Sequence, residues 1–440
     1  MNMILKGNIC YCEAPDKLIT YENAYLVCIN DMVVGTFSEL PEKYSGLSIT
    51  DYNDCLIIPG LCDLHTHAPQ YAFRGLGTDM ELLDWLNKYT FPEESKYVVL
   101  DYAAKAYENF AVALKRSATT RACVFATLHT PATVCLMEKL EQTGIVSYVG
   151  KVGMDRNCPG MLRQASAEAA YFSTKSWIEN TKDRFENTKP IITPRFIPTC
   201  TDELMYKLKS LQEEFMLPVQ SHLSENMDEI AWVKELCPQC ETYAAAYEQF
   251  GLFGGDGVPT VMAHCVWCNE TEEELMKQNE IFIAHCPQSN INLASGIAPV
   301  RRYLNNGLNV GLGSDVAGGC HISIFRAMCD AIQSSKIRWR LIEQADKPLS
   351  VSDAFYLGTL GGGKFFGKVG SFQYGYEFDA VVIDDSSITT TNPLTLEERL
   401  ARIIYCYDES CVRAKYVRGK KISDIHSTSS RDFESPEDVF

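Results

Sequence analysis

An α/β fold, a (β/α)8 TIM-like barrel carrying a small β-sheet or sandwich domain made from both chain termini, is what this 440-residue sequence predicts. Three observations predict it. Between residues 60 and 370, short apolar runs alternate with longer amphipathic stretches, the pattern of repeated βα units around a parallel sheet. Eight such runs can be counted, the number a closed barrel of this kind requires. The segments on either side have a different texture, short β-prone stretches broken by Asp, Asn, Pro and Gly.

In chain order, residues 1–59 form the first part of the small β domain, with strands expected at Ile4–Cys12 and Tyr25–Thr36. The catalytic barrel follows over 60–370. Its strands are expected at Gly60–His67, Thr119–Leu128, Ile145–Gly153, Pro190–Phe196, Leu217–His222, Pro259–His264, Ile281–His285 and Asn309–Asp315. Helical text separates most of them, clearest at Thr201–Phe215 and Ser352–Leu360. Residues 371–440 complete the small domain with strands at Asp379–Ile383 and Cys411–Val417, and the polar text after Ser427 reads as a fraying tail.

Composition narrows the class of function. Apolar residues make up 46% and charged residues 22% of the chain, ordinary for a globular enzyme. A formal charge of −17 repels phosphate backbones, so no nucleic-acid partner is expected. The opening Met1-Asn-Met-Ile-Leu-Lys-Gly7 lacks the apolar stretch of a signal peptide, and no run is long enough to span a bilayer, so no membrane partner is expected either. The 18 cysteines then read as reduced thiols of a cytoplasmic protein rather than a disulfide framework.

Of the eight histidines, five sit near the C-terminal end of an expected barrel strand: His65, His67, His222, His264 and His285. Asp315 ends the eighth strand. Active sites of such barrels are assembled at that end from several strands. In His65-Thr66-His67 the alternation of a strand points both imidazoles to one side, where they can grip one ion. A lone His-x-His is a weak signal; its coincidence with histidines and a carboxylate on other strand ends is a strong one. Neutral imidazoles with one carboxylate suit zinc or a related divalent ion such as iron, with a position left for water.

Pro59-Gly60-Leu61-Cys62-Asp63-Leu64-His65-Thr66-His67 resembles the entry motif of the amidohydrolase superfamily. Ala68-Pro69-Gln70-Tyr71-Ala72-Phe73 and the stretch Leu83–Pro92 are similar to its guanine-deaminating branch. So are Thr193-Pro194-Arg195-Phe196, Ser221–Asn226, Ala284–Asn290 and Gly313–Gly319. The resemblance runs from about Cys55 to Gly370. It implies one zinc per chain held by His65, His67, His222 and Asp315, with His264 contacting the attacking water. It implies Glu225 as proton shuttle, and Gln70, Arg195 and Phe196, beside His222 and Glu225, as substrate-binding residues. The implied reaction is hydrolytic deamination of guanine to xanthine and ammonia, with the terminal β segments as an accessory sheet and a homodimer as the assembly.

The residue chemistry agrees with that reading. Arg195 donates in a planar fork suited to a purine carbonyl, and Gln70 both donates and accepts, as a ring edge with N–H beside N requires. Phe73, Leu76 and Trp85 either stack on the ring or simply pack a loop and helix. Other superfamily substrates (8-oxoguanine, other purines, pyrimidines, triazines) remain open. So does a binding protein without activity on the same barrel, although such relatives should lose ligands or the proton shuttle, and this chain keeps them.

Several further signals carry less weight. Gly358-Thr-Leu-Gly-Gly-Gly363-Lys364 fits most of a phosphate-binding loop, but Phe365 stands where magnesium binding needs Ser or Thr. Cys237/Cys240 and Cys265/Cys268 form two Cys-x-x-Cys pairs, and separate buried thiols are favoured over a structural metal. The cysteine-rich Cys265-Val-Trp-Cys268 departs from the family pattern and raises the question of a thiol near the site. His129 is a candidate to support a ligand, His285 to shape the loop above the site, and His321 and His426 read as surface residues. The tail Asp438-Val439-Phe440 is a weak candidate peptide ligand for a groove beside a sheet edge.

Overall fold

All eight apolar runs contain strand in the computed structural model, which describes residues 1–255 and 257–422. The chain opens with β1 (Met3–Ala14), β2 (Lys17–Ile29), β3 (Met32–Phe37) and β4 (Ile49–Pro59). The barrel follows as β5 (Leu61–His67), β6 (Thr119–Phe125), β7 (Val146–Gly150), β8 (Val152–Gly153), β9 (Thr188–Pro190), β10 (Thr193–Pro194), β11 (Val219–Leu223), β12 (Thr260–His264), β13 (Phe282–His285) and β14 (Asn309–Leu312). β15 (Ala380–Ile383), β16 (Val412–Val417) and β17 (Lys420–Lys421) close the described chain. The third and fourth expected barrel strands are each broken in two, β7 with β8 and β9 with β10, and β8 pairs with β10 instead of continuing the main ladder.

The ring is assembled from two parallel ladders, β5-β6-β7-β9 and β11-β12-β13-β14. A parallel bridge between Ile192 and Val219 joins them on one side. On the other, the Asp315 amide donates to the His65 carbonyl at 2.9 Å. Leu64, Cys123, Val261, Ala263, Phe282 and Ala284, from strands around the ring, form one buried cluster with Ile191 and Phe365. Helices shield the outside; the one at Asp202–Phe215 starts one residue after the expected Thr201, which caps it by accepting from the Leu204 amide.

The first and last strands make a seven-stranded sheet in the order β17-β16-β15-β4-β1-β2-β3, where only β1 and β4 run parallel. The single strand expected over Tyr25–Thr36 is two, because Asn30 and Asp31 adopt left-handed backbone (φ 51° and 65°) and turn β2 back as β3. Asn and Asp tolerate that conformation, so the turn signal lay inside the apolar run.

Two buried cations tie this sheet to the barrel. Arg121 on β6 donates to Asp379 at 2.5 and 3.0 Å and to Glu377 at 2.9 Å. Lys415 on β16 donates to the carbonyls of Leu114, Ser117 and Thr119 at 3.3, 2.9 and 2.8 Å. Breaking one side of a buried pair strands the other charge, at a cost of about 3–5 kcal/mol. Arg121→Met should therefore destabilise the protein by about that much in urea unfolding, with Asp379→Leu added to it restoring part of the loss. Equal stability of Arg121→Met and the parent would remove the pair from the account of how the two parts hold together.

The glycines of the phosphate-loop look-alike serve packing. A Cβ on Gly361 would stand 2.5 Å from the Val310 carbonyl oxygen, and one on Gly362 would stand 2.9 Å from Cys62 Cβ. This buried helical segment presses its backbone against the barrel strands, which leaves no phosphate cradle.

Candidate active site and metal centre

Five of the expected histidines and Asp315 converge at the C-terminal mouth of the barrel. His65 and His67 end β5, where their side chains share a side, and their Nε2 atoms lie 3.2 Å apart. His222 on β11 brings its Nε2 to 3.2 Å from that of His67. Asp315, just past β14, places Oδ1 3.1 Å from His65 Nε2 and 3.5 Å from His67 Nε2. His264 ends β12 with Nε2 3.3 Å from Glu225 Oε2 and 3.7 Å from Asp315 Oδ2. His285, at the end of β13, is buried behind His264, where desolvation lowers its pKa to about 3.

Hydrogen bonds behind the ring aim these imidazoles. His222 Nδ1 donates to the Arg195 carbonyl at 2.6 Å, which turns the Nε2 lone pair toward the centre. His264 Nδ1 pairs with Asn290 Oδ1 at 2.9 Å in the same sense. Asp63 reaches across the barrel seam, accepting from the Ser314 amide at 3.0 Å, the Ser314 hydroxyl at 2.6 Å and the His65 amide at 3.2 Å. It thereby locks the strand end of His65 to the turn that carries Asp315. Burial raises the Asp63 carboxyl to about 6 against the pull of those hydrogen bonds. Ser224, His264 and Asp315 hold left-handed backbone (φ 47°, 75° and 44°), a conformation that non-glycine residues keep only where surroundings impose it.

The donor set fits a divalent cation. Lone pairs held 3.1–3.5 Å apart repel one another unless a cation lies between them. Donors about 2.0–2.1 Å from one tetrahedral ion stand roughly 3.3 Å apart. Burial would raise the Asp315 carboxyl, but the neighbouring His65, His264 and His67 outweigh it and hold the group well below its ordinary value, as a ligand requires. Burial and the other imidazoles likewise hold His67 and His222 neutral. A thiol does come near, but from an unexpected place: Cys286 Sγ lies within 4.8 Å of the His65 and Asp315 ligand atoms, with burial pushing it well above the ordinary thiol value. Among the described residues no metal-holding group includes Cys237, Cys240, Cys265 or Cys268.

Beside this centre lies a partly open pocket lined by Gln70, Leu82, Trp85, Leu86, Arg195, Phe196, Glu225 and Leu293. Phe73 packs at a tilt against Trp85 with centroids 5.5 Å apart, and Leu76 is exposed, so of those three only Trp85 lines the pocket. Glu225 is buried, and desolvation together with the Asp315 charge raises its carboxyl well above the ordinary value. Ser295 donates to its Oε1 at 3.2 Å, while Glu229 accepts the Glu225 and Asn226 amides at 3.1 and 3.3 Å and so fixes the loop.

Two acids that sequence reading did not single out support the site. Asp63 is one. Glu94, on the short helix Phe91–Glu94, is the other: Oε1 accepts from Gln70 Nε2 at 2.9 Å and Oε2 from Arg195 Nη1 at 2.6 Å. Gln70 Oε1 accepts from the Ala317 amide at 3.3 Å, so both pocket-lining side chains are held from behind. His129 stays outside the ligand ring, half-buried near Glu94 and Lys151, and His321 is exposed. His426 and the tail at 438–440 lie outside the described residues.

Comparison with known proteins agrees with this geometry. Residues 56–422 match the amidohydrolase family. The chain is 39% identical over 383 residues to the guanine deaminase of Dictyostelium discoideum, covering 85% of this chain and 84% of that one. To the human guanine deaminase it is 34% identical over 386 residues, covering 84% of each. The crystal structure of the guanine deaminase from C. acetobutylicum, with guanine bound in its active site, superposes with a TM-score of 0.92 at 47% identity, over 96% of this chain and 100% of that one. A triazine hydrolase from Arthrobacter shares the fold, with a TM-score of 0.83 at 15% identity. With the histidine-bearing strand ends, family match and guanine deaminase relatives all in agreement, the chain belongs to the amidohydrolase family, in its guanine deaminase branch.

Proposed function

We propose that this chain is a zinc-dependent guanine deaminase, converting guanine and water to xanthine and ammonia. The observation that carries the reading is one pocket in which His65, His67, His222 and Asp315, the buried Glu225 carboxyl and the Gln70–Arg195 pair come together. In this assignment His65, His67, His222 and Asp315 hold the ion. Bound zinc supplies the acidity that makes water a nucleophile near neutral pH.

The side chains supply the rest. Asp315, kept ionised by the imidazoles around it, takes the proton that water loses, and His264 orients the water from the opposite side. Glu225, kept protonated by burial and by Asp315, delivers its proton to the ring nitrogen beside the attacked carbon, then relays one to the departing amine. Two neighbouring carboxyls pushed in opposite directions are the pattern expected of a base and an acid. Arg195 donates to the purine carbonyl and Gln70 to the adjoining edge, while Phe196 and Trp85 enclose the ring.

A substrate panel followed by ammonia release tests the assignment. Guanine should be turned over far faster than adenine, cytosine or an aminotriazine. Faster turnover of cytosine or the triazine would move this chain to another branch of the family while leaving the metal centre intact.

A further inference from the structure

The floor of the pocket holds a charge pair with consequences for which purine it keeps. Glu94 and Arg195 are 2% and 3% exposed, and the carboxylate meets the guanidinium at 2.6 Å while also taking the Gln70 amide at 2.9 Å. The guanidinium lies over the Phe91 ring, 5.2 Å from its centroid, with no second acid paired to it among the described residues. A buried guanidinium without a counter-charge draws anions, because the surrounding medium screens it weakly. Deamination replaces the amine of guanine with an oxygen, and the resulting dioxopurine has a more acidic ring N–H than its precursor. Product is therefore the more anionic of the two as pH rises.

We propose that Glu94 is a specificity-determining residue. By cancelling the Arg195 charge while it holds Gln70, it makes the pocket select the neutral oxopurine substrate over its more acidic dioxopurine product, and so limits product inhibition. The inference rests on the guanine-deaminating reading above. The other titratable groups at this corner do not replace Glu94. Burial pushes the Cys158 thiol up to about 11 and the Tyr97 and Tyr107 phenols above their ordinary value. His67, which also faces Arg195, is a proposed ligand. His129 is lowered by burial, and Lys151 beyond it is lowered to about 7 by the same cause, so neither supplies a negative charge.

The test compares the metal-loaded, full-length enzyme with Glu94→Gln and Glu94→Asp, measuring guanine kcat and KM and xanthine Ki over a pH series, with melting temperature and metal content in parallel. In Glu94→Gln the ratio of xanthine Ki to guanine KM should fall about tenfold, because a charge-compensating neighbour is gone, and it should fall further as pH rises. In Glu94→Asp the charge stays but the shorter side chain cannot reach both donors, so guanine KM should rise with the ratio near that of the parent. An unchanged ratio in well-folded Glu94→Gln, or an equal fall in both variants, overturns the proposal. If Glu94→Gln does not fold, Arg195→Gln answers the same question: removing the cation should weaken xanthine more than guanine, and equal weakening overturns it. A parent enzyme inactive on guanine overturns the earlier reading, and this one with it, before any variant is made.

Discussion

Glu225→Gln should lower kcat on guanine by about 10²–10⁴-fold, the usual worth of a positioned general acid–base, and here one group serves two proton transfers. The substitution keeps the size of the side chain and an acceptor for the Ser295 hydroxyl, which stands 3.2 Å away. Metal content and guanine affinity should stay close to the parent, because Glu225 is not proposed as a ligand. The pH profile gives a second readout. A carboxyl raised by burial and by Asp315 is protonated below its folded pKa and loses its proton as pH rises through it. The parent should therefore show an alkaline limb in kcat/KM that the variant lacks. Near-normal kcat in Glu225→Gln would send the proton shuttle elsewhere, with Asp315 the first group to examine.

His65→Ala is expected to abolish turnover by a different route. Loss of an outer partner of a metal ligand already costs about 10–100-fold in affinity, so loss of a ligand should cost more than about 100-fold. Elemental analysis after dialysis against a chelator should find the parent loaded with about one zinc and the variant depleted. The barrel should persist, since the buried cluster through Leu64, Cys123, Val261 and Ala284 does not involve the ion. A variant that kept both metal and activity would remove His65 from the donor set.

What the sequence revealed of this site follows from how local each signal is. His65 and His67 are two apart on one strand, so alternation alone places them together. His222, His264 and Asp315 stand at or next to the ends of apolar runs, and a barrel brings those ends to one mouth. Glu94 had no such marker. It lies 24 residues from Gln70 and 101 from Arg195, on a four-residue helix, next to a second glutamate with a separate partner. Asp63 likewise meets Ser314 across 251 residues, at the seam where the ring closes. Proximity to His264 in sequence points to the Cys265–Cys268 run for a thiol near the centre, whereas Cys265 Sγ turns back to the Met262 carbonyl and Cys286 enters just past the next strand. Residues that line the pocket sit in recognisable local text; the residues that orient them are joined only by folding.

The sheet built from both ends of the chain has a consequence for biosynthesis. β4 is hydrogen-bonded on one flank to β1, 45 residues earlier by the Ile4–Ile49 register, and on the other to β15, which begins at Ala380. As the chain emerges from a ribosome, the first four strands exist long before the strand that covers their open flank. Throughout that interval the backbone groups of Leu56, Ile57 and Ile58 stand unpaired along an apolar edge, the kind of template that captures other chains. A polypeptide stalled or cut before residue 380 would also leave Arg121 without Asp379 and Glu377. The residues proposed to hold the metal are all made before that point, yet the sheet is closed only by the strands from Ala380 onward, so this edge stays open while the whole barrel is being made.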